Sequence, residues 1–313
     1  MPLPFPQLPA ETTEARRIEE PRPGLCAPQV LIFWHLASLD APTVAVVWTL
    51  AFAWTSNREL PRWVPLLIAL ATWCVYVSDR LLDARADNRG KERSTLRERH
   101  HFHWRHRRVF LPLAAVAACA AFGMAFTLVA PIARERDSVL AAATFAYFSS
   151  VHGRGGLREA MRRISRRCVS KELLVGIIFA TGCALPTWQR IAGAAFDAAQ
   201  VWTFWIPLVY FAMLAWLNCN SITRWEAGEG ERKISRDSAT FNYVAAALAA
   251  TGGFLLVAAA CNGHARAAGL LATGTASALL LAFLDRVRDR VKTLSLRTFA
   301  DMVLLTPMVL LLR

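Results

Sequence analysis

Asp79 and Asp83 stand four residues apart at the end of an apolar run. On a helix that spacing stacks both carboxylates on one face. Two carboxylates so placed can hold a hard divalent cation such as Mg2+, which bridges onward to phosphate oxygens. Asp87 continues the spacing, with Arg80 and Arg85 interleaved as salt partners. Carboxylates are costly at a bilayer unless paired or hydrated. The pair therefore reads either as a cation site or as a solvated helix end.

More polar groups close other apolar runs. Asn218, Asn220 and then Glu226 end one, Lys171 opens another, and Asp40 marks the start of the first. Brought to one depth, these oxygens and cations from four runs suit an anionic ligand, gripped by metal on one side and by Lys or Arg on the other. The competing reading is simple clustering of polar residues at helix ends. His100, His101, His103 and His106 lie among arginines that would repel a metal, so they read as a basic membrane-surface loop. His35 reads as a packed or interfacial residue. Trp34, Trp48, Trp54, Trp63, Trp188 and Trp202 fall near run ends, as aromatic belts do.

The elements that must position these residues are apolar helices. The chain has 313 residues, 55% of them hydrophobic, and a mean hydropathy of +0.32. Its apolar runs cover residues 30–54, 63–83, 109–131, 138–151, 172–188, 198–222, 240–261, 267–284 and 298–312. They are too long and too continuously apolar for barrel strands, which alternate. The expectation is an all-α polytopic membrane protein of about nine transmembrane helices. Pro42 suits a helix first turn, so the first span is expected to begin near Asp40. Residues 1–29, rich in Pro and mixed charge, read as a disordered cytoplasmic tail, and 30–313 as one transmembrane domain. The seven cysteines show no CxxC spacing and read as small buried hydrophobes.

A net charge of +13 with a pI near 10.2 could mean nucleic acid. Here the basic residues crowd into alternate connections, around 85–108, 154–171, 224–236 and 286–297, while the intervening ones hold few. The positive-inside rule then puts those connections and the N-terminus in the cytoplasm and the C-terminus outside. The expected setting is a bacterial inner membrane, with membrane lipids as neighbours and no nucleic acid.

In several places the sequence resembles the UbiA superfamily of intramembrane prenyltransferases. Leu39-Asp40-Ala41-Pro42 looks like the Leu-x-Asp-x-Pro region opening that family's first helix. Asp79-Arg80-Leu81-Leu82-Asp83 is similar to the second half of its first motif, N-D-x-x-D-x-x-x-D. Tyr147, Lys171 and the glycine-containing stretch 176–182 resemble the tyrosine and lysine before the fifth helix. Span count and order extend the resemblance over 30–313. It implies nine helices and Mg2+-dependent ionisation of a prenyl diphosphate, whose allylic carbocation meets a small lipophilic or aromatic acceptor. Asp79 and Asp83 would hold the metal, Lys171 and arginines of the second and fourth inner loops would hold phosphate, and Asp40, Arg80, Tyr147, Asn218, Asn220 and Glu226 would complete the substrate site. Two departures stand out: Val75-Tyr76 replaces the leading Asn-Asp, and Asn218, Asn220, Glu226 and Glu229 occupy the region of the second, DxxxD motif. They allow a different phosphate substrate, one Mg2+ instead of two, or a non-catalytic, lipid-binding relative on the same scaffold. A phosphatidyl alcohol transferase would need a second acidic half that does not follow Asp83-Ala84-Arg85. A transporter would want broken helices near the midplane, whereas the polar residues here sit at run ends.

Overall fold

A computed structural model describes residues 25–87, 98–152, 170–193, 197–227 and 234–312. Among them the chain is all helical, with no strand. In order the helices are α1 (Gln29–Leu36), α2 (Asp40–Thr55), α3 (Trp63–Asp87), α4 (Glu98–Arg105), α5 (Arg107–Leu128) and α6 (Pro131–His152). Then come α7 (Lys171–Ile191), α8 (Ile206–Ala227), α9 (Ile234–Cys261), α10 (Ala265–Val287), α11 (Thr293–Val303) and α12 (Met308–Leu311). A short turn, Ala198–Gln200, and a π-helical turn, Val201–Trp205, lead into α8.

Among the described residues six helical segments are long and apolar enough to cross a bilayer, and the bent pair α1–α2, taken as one span, makes a seventh. The chain is an integral membrane protein. Nine spans were expected, and the two shortfalls have physical causes. The 138–151 run lies in α6, whose start carries Arg134, Glu135, Arg136 and Asp137. The last run breaks after α11, where Leu304 ends the helix and Pro307 offers no backbone donor. Helix α2 begins at Asp40, with α1 preceding it in the bent pair. Before it the backbone turns 87° between α1 and α2. Ser38, at φ 59, makes that turn in the left-handed region.

The central helix is α2, which packs on α3, α7, α10, α11 and α12. A helix apolar on every side belongs inside. Val44, Ala45, Trp48, Ala51 and Phe52 are all buried in one cluster with Phe211 and Leu214 of α8. Trp48 stacks on Phe211 with centroids 3.7 Å apart, a contact worth about 1 kcal/mol beyond burial. Its Nε1 donates to Leu304 O at 2.9 Å, satisfying a carbonyl released by the break after α11. Trp48 is thus a core residue, not part of an aromatic belt.

Around α2, α7 and α8 pack so closely at Gly176 that a Cβ there would lie 2.8 Å from Ala212 O and Trp216 N. The wide apolar faces of α5 and α6, including Val116, Phe122, Phe126 and Phe145, are exposed and suit lipid contact. The expected tail lies mostly in 1–24, outside the described residues, but its last stretch is bonded. Leu25 N donates to Arg290 O at 2.8 Å, and Ala27 N donates to Ser295 Oγ at 2.8 Å. Of the described cysteines only Cys183 is buried, and Cys26, Cys119 and Cys261 are exposed, contrary to the buried reading. Cys168 and Glu229 lie outside the described residues.

Candidate functional site

The turn between α1 and α2 aims polar groups inward. Arg80 of α3, 5% exposed, donates through Nη1 to His35 O at 2.8 Å and through Nη2 to Asp40 Oδ2 at 3.2 Å. Asp40 Oδ1 accepts from Ala41 N at 2.9 Å. His35 Nδ1 stands 2.7 Å from Asp40 Oδ2 and 3.3 Å from Asp301 Oδ2 of α11. Asn218 of α8 donates through Nδ2 to Asp301 Oδ1 at 3.1 Å. Five side chains from α1, α2, α3, α8 and α11 therefore form one buried polar cluster. A buried ion pair survives only with such close geometry and extra hydrogen bonds.

The carboxylates differ in access. His35 and Asp40 side chains are each 2% exposed, whereas Asp301 is 18% exposed. Asp301 borders a small cavity with Tyr76, Gly176, Phe179, Asn218 and Cys219. At about 30 Å³ the cavity has room for two or so waters. Asn218, 5% exposed, also borders it. Its buried Oδ1 has no hydrogen-bond partner among the described residues.

His35, Asp40 and Asp301 offer ligand atoms within 4.8 Å of one another. The Arg80 guanidinium on Asp40 argues against a metal there, because it already supplies the opposing charge. The trio reads as a close charge-paired set.

Asp79 and Asp83 lie half-buried on α3, four residues apart on one face. Tyr147 of α6 is within electrostatic reach of both, and of Glu172 at the start of α7. Cys219 is within reach of Lys171, Glu172 and Asp301, and Tyr76 within reach of Asp40, Arg80 and Asp301. Of the residues singled out from the sequence, Asp40, Arg80 and Asn218 thus share the buried cluster. Asp79, Asp83, Tyr147 and Lys171 gather beside it at the same end of the bundle. Lys171 is exposed, and Asn220 is half-buried one turn from Trp216. Glu226 is engaged elsewhere: it pairs with the buried Arg297 of α11.

His35 and Asp301 were not singled out by the sequence. Asp301 had a readable signal, since it is the one carboxylate in the apolar run 298–312. His35 had none. Asp285 is a second missed carboxylate. It accepts from Trp225 Nε1 at 2.8 Å and Asn242 Nδ2 at 3.2 Å, tying α8 and α9 to α10. His103, read as loop, is buried on α4 with Nε2 at 3.1 Å from Ser38 Oγ, which pins α4 to the α1–α2 turn. The side chains of His100 and His101 lie outside the described residues, and His106 is exposed.

No family model, curated protein or solved structure matches the chain.

Proposed function

We propose that the chain is an intramembrane prenyltransferase of the UbiA type, moving a prenyl group from a prenyl diphosphate to a small lipophilic or aromatic acceptor. One observation carries the reading: Asp79 and Asp83 share a face of α3 within electrostatic reach of Tyr147, and Tyr147 is within reach of Cys219, which lines the cavity and faces Lys171. The family's nine crossings follow if α1–α2 counts as one, α6 as the fourth and α11–α12 as the ninth. Positive-inside counting then puts the Asp79 end, with the N-terminus, in the cytoplasm of a bacterial cell.

The donor set fits one Mg2+. Asp79 and Asp83 are hard oxygen donors at helical spacing, while the Arg80 guanidinium between them is committed to His35 and Asp40. Among the described residues α8 holds no second carboxylate pair for another ion. The α8 region of the second motif offers Asn218, bonded to Asp301, and Glu226, paired with Arg297. When bound, a divalent cation would neutralise charge on the leaving diphosphate. The chain's own residues do the rest. Lys171 and Tyr147 grip phosphate oxygens, and Phe179 with Val44 keeps water from the allylic cation. Seating the prenyl tail requires α7 and α8 to part, because the cavity as it stands holds only water-sized groups.

The departures at Val75-Tyr76 and Asn220 favour a second reading, a lipid-binding relative without catalysis. Both are tested with the full chain in lipid nanodiscs, using farnesyl diphosphate as probe. The transferase reading expects Mg2+-dependent binding that Asp79→Asn and Asp83→Asn each weaken by roughly tenfold or more, with protein yield retained. Binding indifferent to Mg2+, or kept by both variants, refutes it, and mass spectrometry of co-purifying lipid then identifies the alternative ligand.

A further inference from the structure

We infer that Asp301, backed by His35 and Asp40, is the proton acceptor of this site, taking the proton an acceptor molecule sheds when it is alkylated beside the cavity. The inference rests on the transferase reading for its chemistry but on separate residues for its geometry.

Three facts converge on Asp301. It is the carboxylate of the cluster that lines the cavity, at 18% exposure against 2% for Asp40 and His35. Asp40 is already spent, with Arg80, His35 and Ala41 N all on its carboxylate. Asn218, almost fully buried, leaves its Oδ1 unpartnered among the described residues at the same wall, an acceptor for a water or a substrate hydroxyl.

The charge count gives the direction. Two carboxylates and one guanidinium leave the set one proton short of neutrality. In a dry interior, net charge is costly, so uptake of one proton is favourable. His35 bridges both carboxylates and can share that proton between them. Other groups facing the set are Tyr76 of α3 and Cys219 of α8, with Lys171 and Glu172 of α7 within reach of Cys219.

The step balances. The C–O bond of the prenyl diphosphate breaks and its electron pair leaves on the diphosphate. The acceptor's carbon or oxygen bonds to the allylic cation and gives up its proton to Asp301 Oδ2. From there the proton passes to His35, or to water in the cavity.

The test uses the full chain in nanodiscs and two readouts. Infrared difference spectra on acidification report which carboxyl takes up a proton. With water as acceptor, release of farnesol and diphosphate from farnesyl diphosphate reports turnover. The expected result is that D301N loses the cluster's carboxyl band, still binds farnesyl diphosphate, and turns over about 100-fold more slowly. Its residual rate should lack the decline toward acid pH seen in the parent, and D301E should restore part of both. An unchanged infrared spectrum in D301N overturns the inference, as does a parent-like rate and pH profile. H35Q guards against a folding artefact: it should shift the same band while leaving Asp301 in place, and an unshifted band also counts against the relay. Failure of the parent to bind farnesyl diphosphate would refute the transferase reading alone, and the infrared arm would then decide the proton acceptor.

Discussion

Asn218 Nδ2 donates to Asp301 Oδ1 at 3.1 Å, joining positions 83 residues apart. The α8 position where a second acidic motif was sought thus carries an amide, and a carboxylate reaches it from α11. The relationship makes Asn218 a positioning residue for Asp301. Asn218→Leu removes the donor and leaves Asp301 held by His35 alone. The expected cost is about 1–3 kcal/mol, read as a lower thermal unfolding midpoint in nanodiscs. Asn218→Asp should cost more, because it sets a like charge against Asp301.

Asp40 and Arg80 stabilise each other only as a pair. Asp40→Ala leaves a guanidinium buried without its counter-charge, with an expected loss of about 3–5 kcal/mol. The double variant Asp40→Leu, Arg80→Met should recover most of it. Thermal unfolding of the three proteins checks this, and a double variant no better than Asp40→Ala would contradict the pairing.

Asp79 and Asp83 are expected to behave in the opposite way. Being half-buried, either changed to Asn should shift unfolding by less than the buried Asp40→Ala does. Mg2+-dependent affinity for farnesyl diphosphate should still fall by roughly tenfold or more, since each variant removes one oxygen anion from the ion. Isothermal titration at fixed Mg2+ separates this from a folding defect.

Gly176 sets the distance between α7 and α8. A Cβ there would stand 2.8 Å from backbone atoms Ala212 O and Trp216 N, which cannot rotate away. Gly176→Ala should cost about 1–3 kcal/mol and push the two helices apart. A crosslink series between α7 and α8 would report the wider spacing, and an unaltered crosslinking pattern would show that the contact is looser than drawn.

Ser295 anchors the segment before α1 by accepting from Ala27 N at 2.8 Å. Ser295→Ala should cost about 1 kcal/mol and speed amide exchange at Ala27. Because α1 carries His35 and α11 carries Asp301, the same variant should loosen the His35–Asp301 contact, seen as a changed carboxyl band in the infrared spectrum.

Much of the architecture was written in single-residue chemistry. A chain with long uncharged apolar runs must satisfy its backbone internally, which leaves helices. The start of α2 at Asp40, the stacking of Asp79 on Asp83 and the helix-end placement of Lys171 follow from local spacing alone, whereas Asn218 lies within α8. The tertiary structure decided the partners. Glu226 looked like a ligand until Arg297 of a distant helix neutralised it. Arg80 looked like a substrate contact until it turned to Asp40. His35 and Asp301 carried little local signal because their meaning comes from an 87° turn and from helices that meet only after packing. Periodicity fixes which face a residue occupies, while long-range contact decides what stands opposite, and charge complementarity across that contact is invisible to any window of sequence.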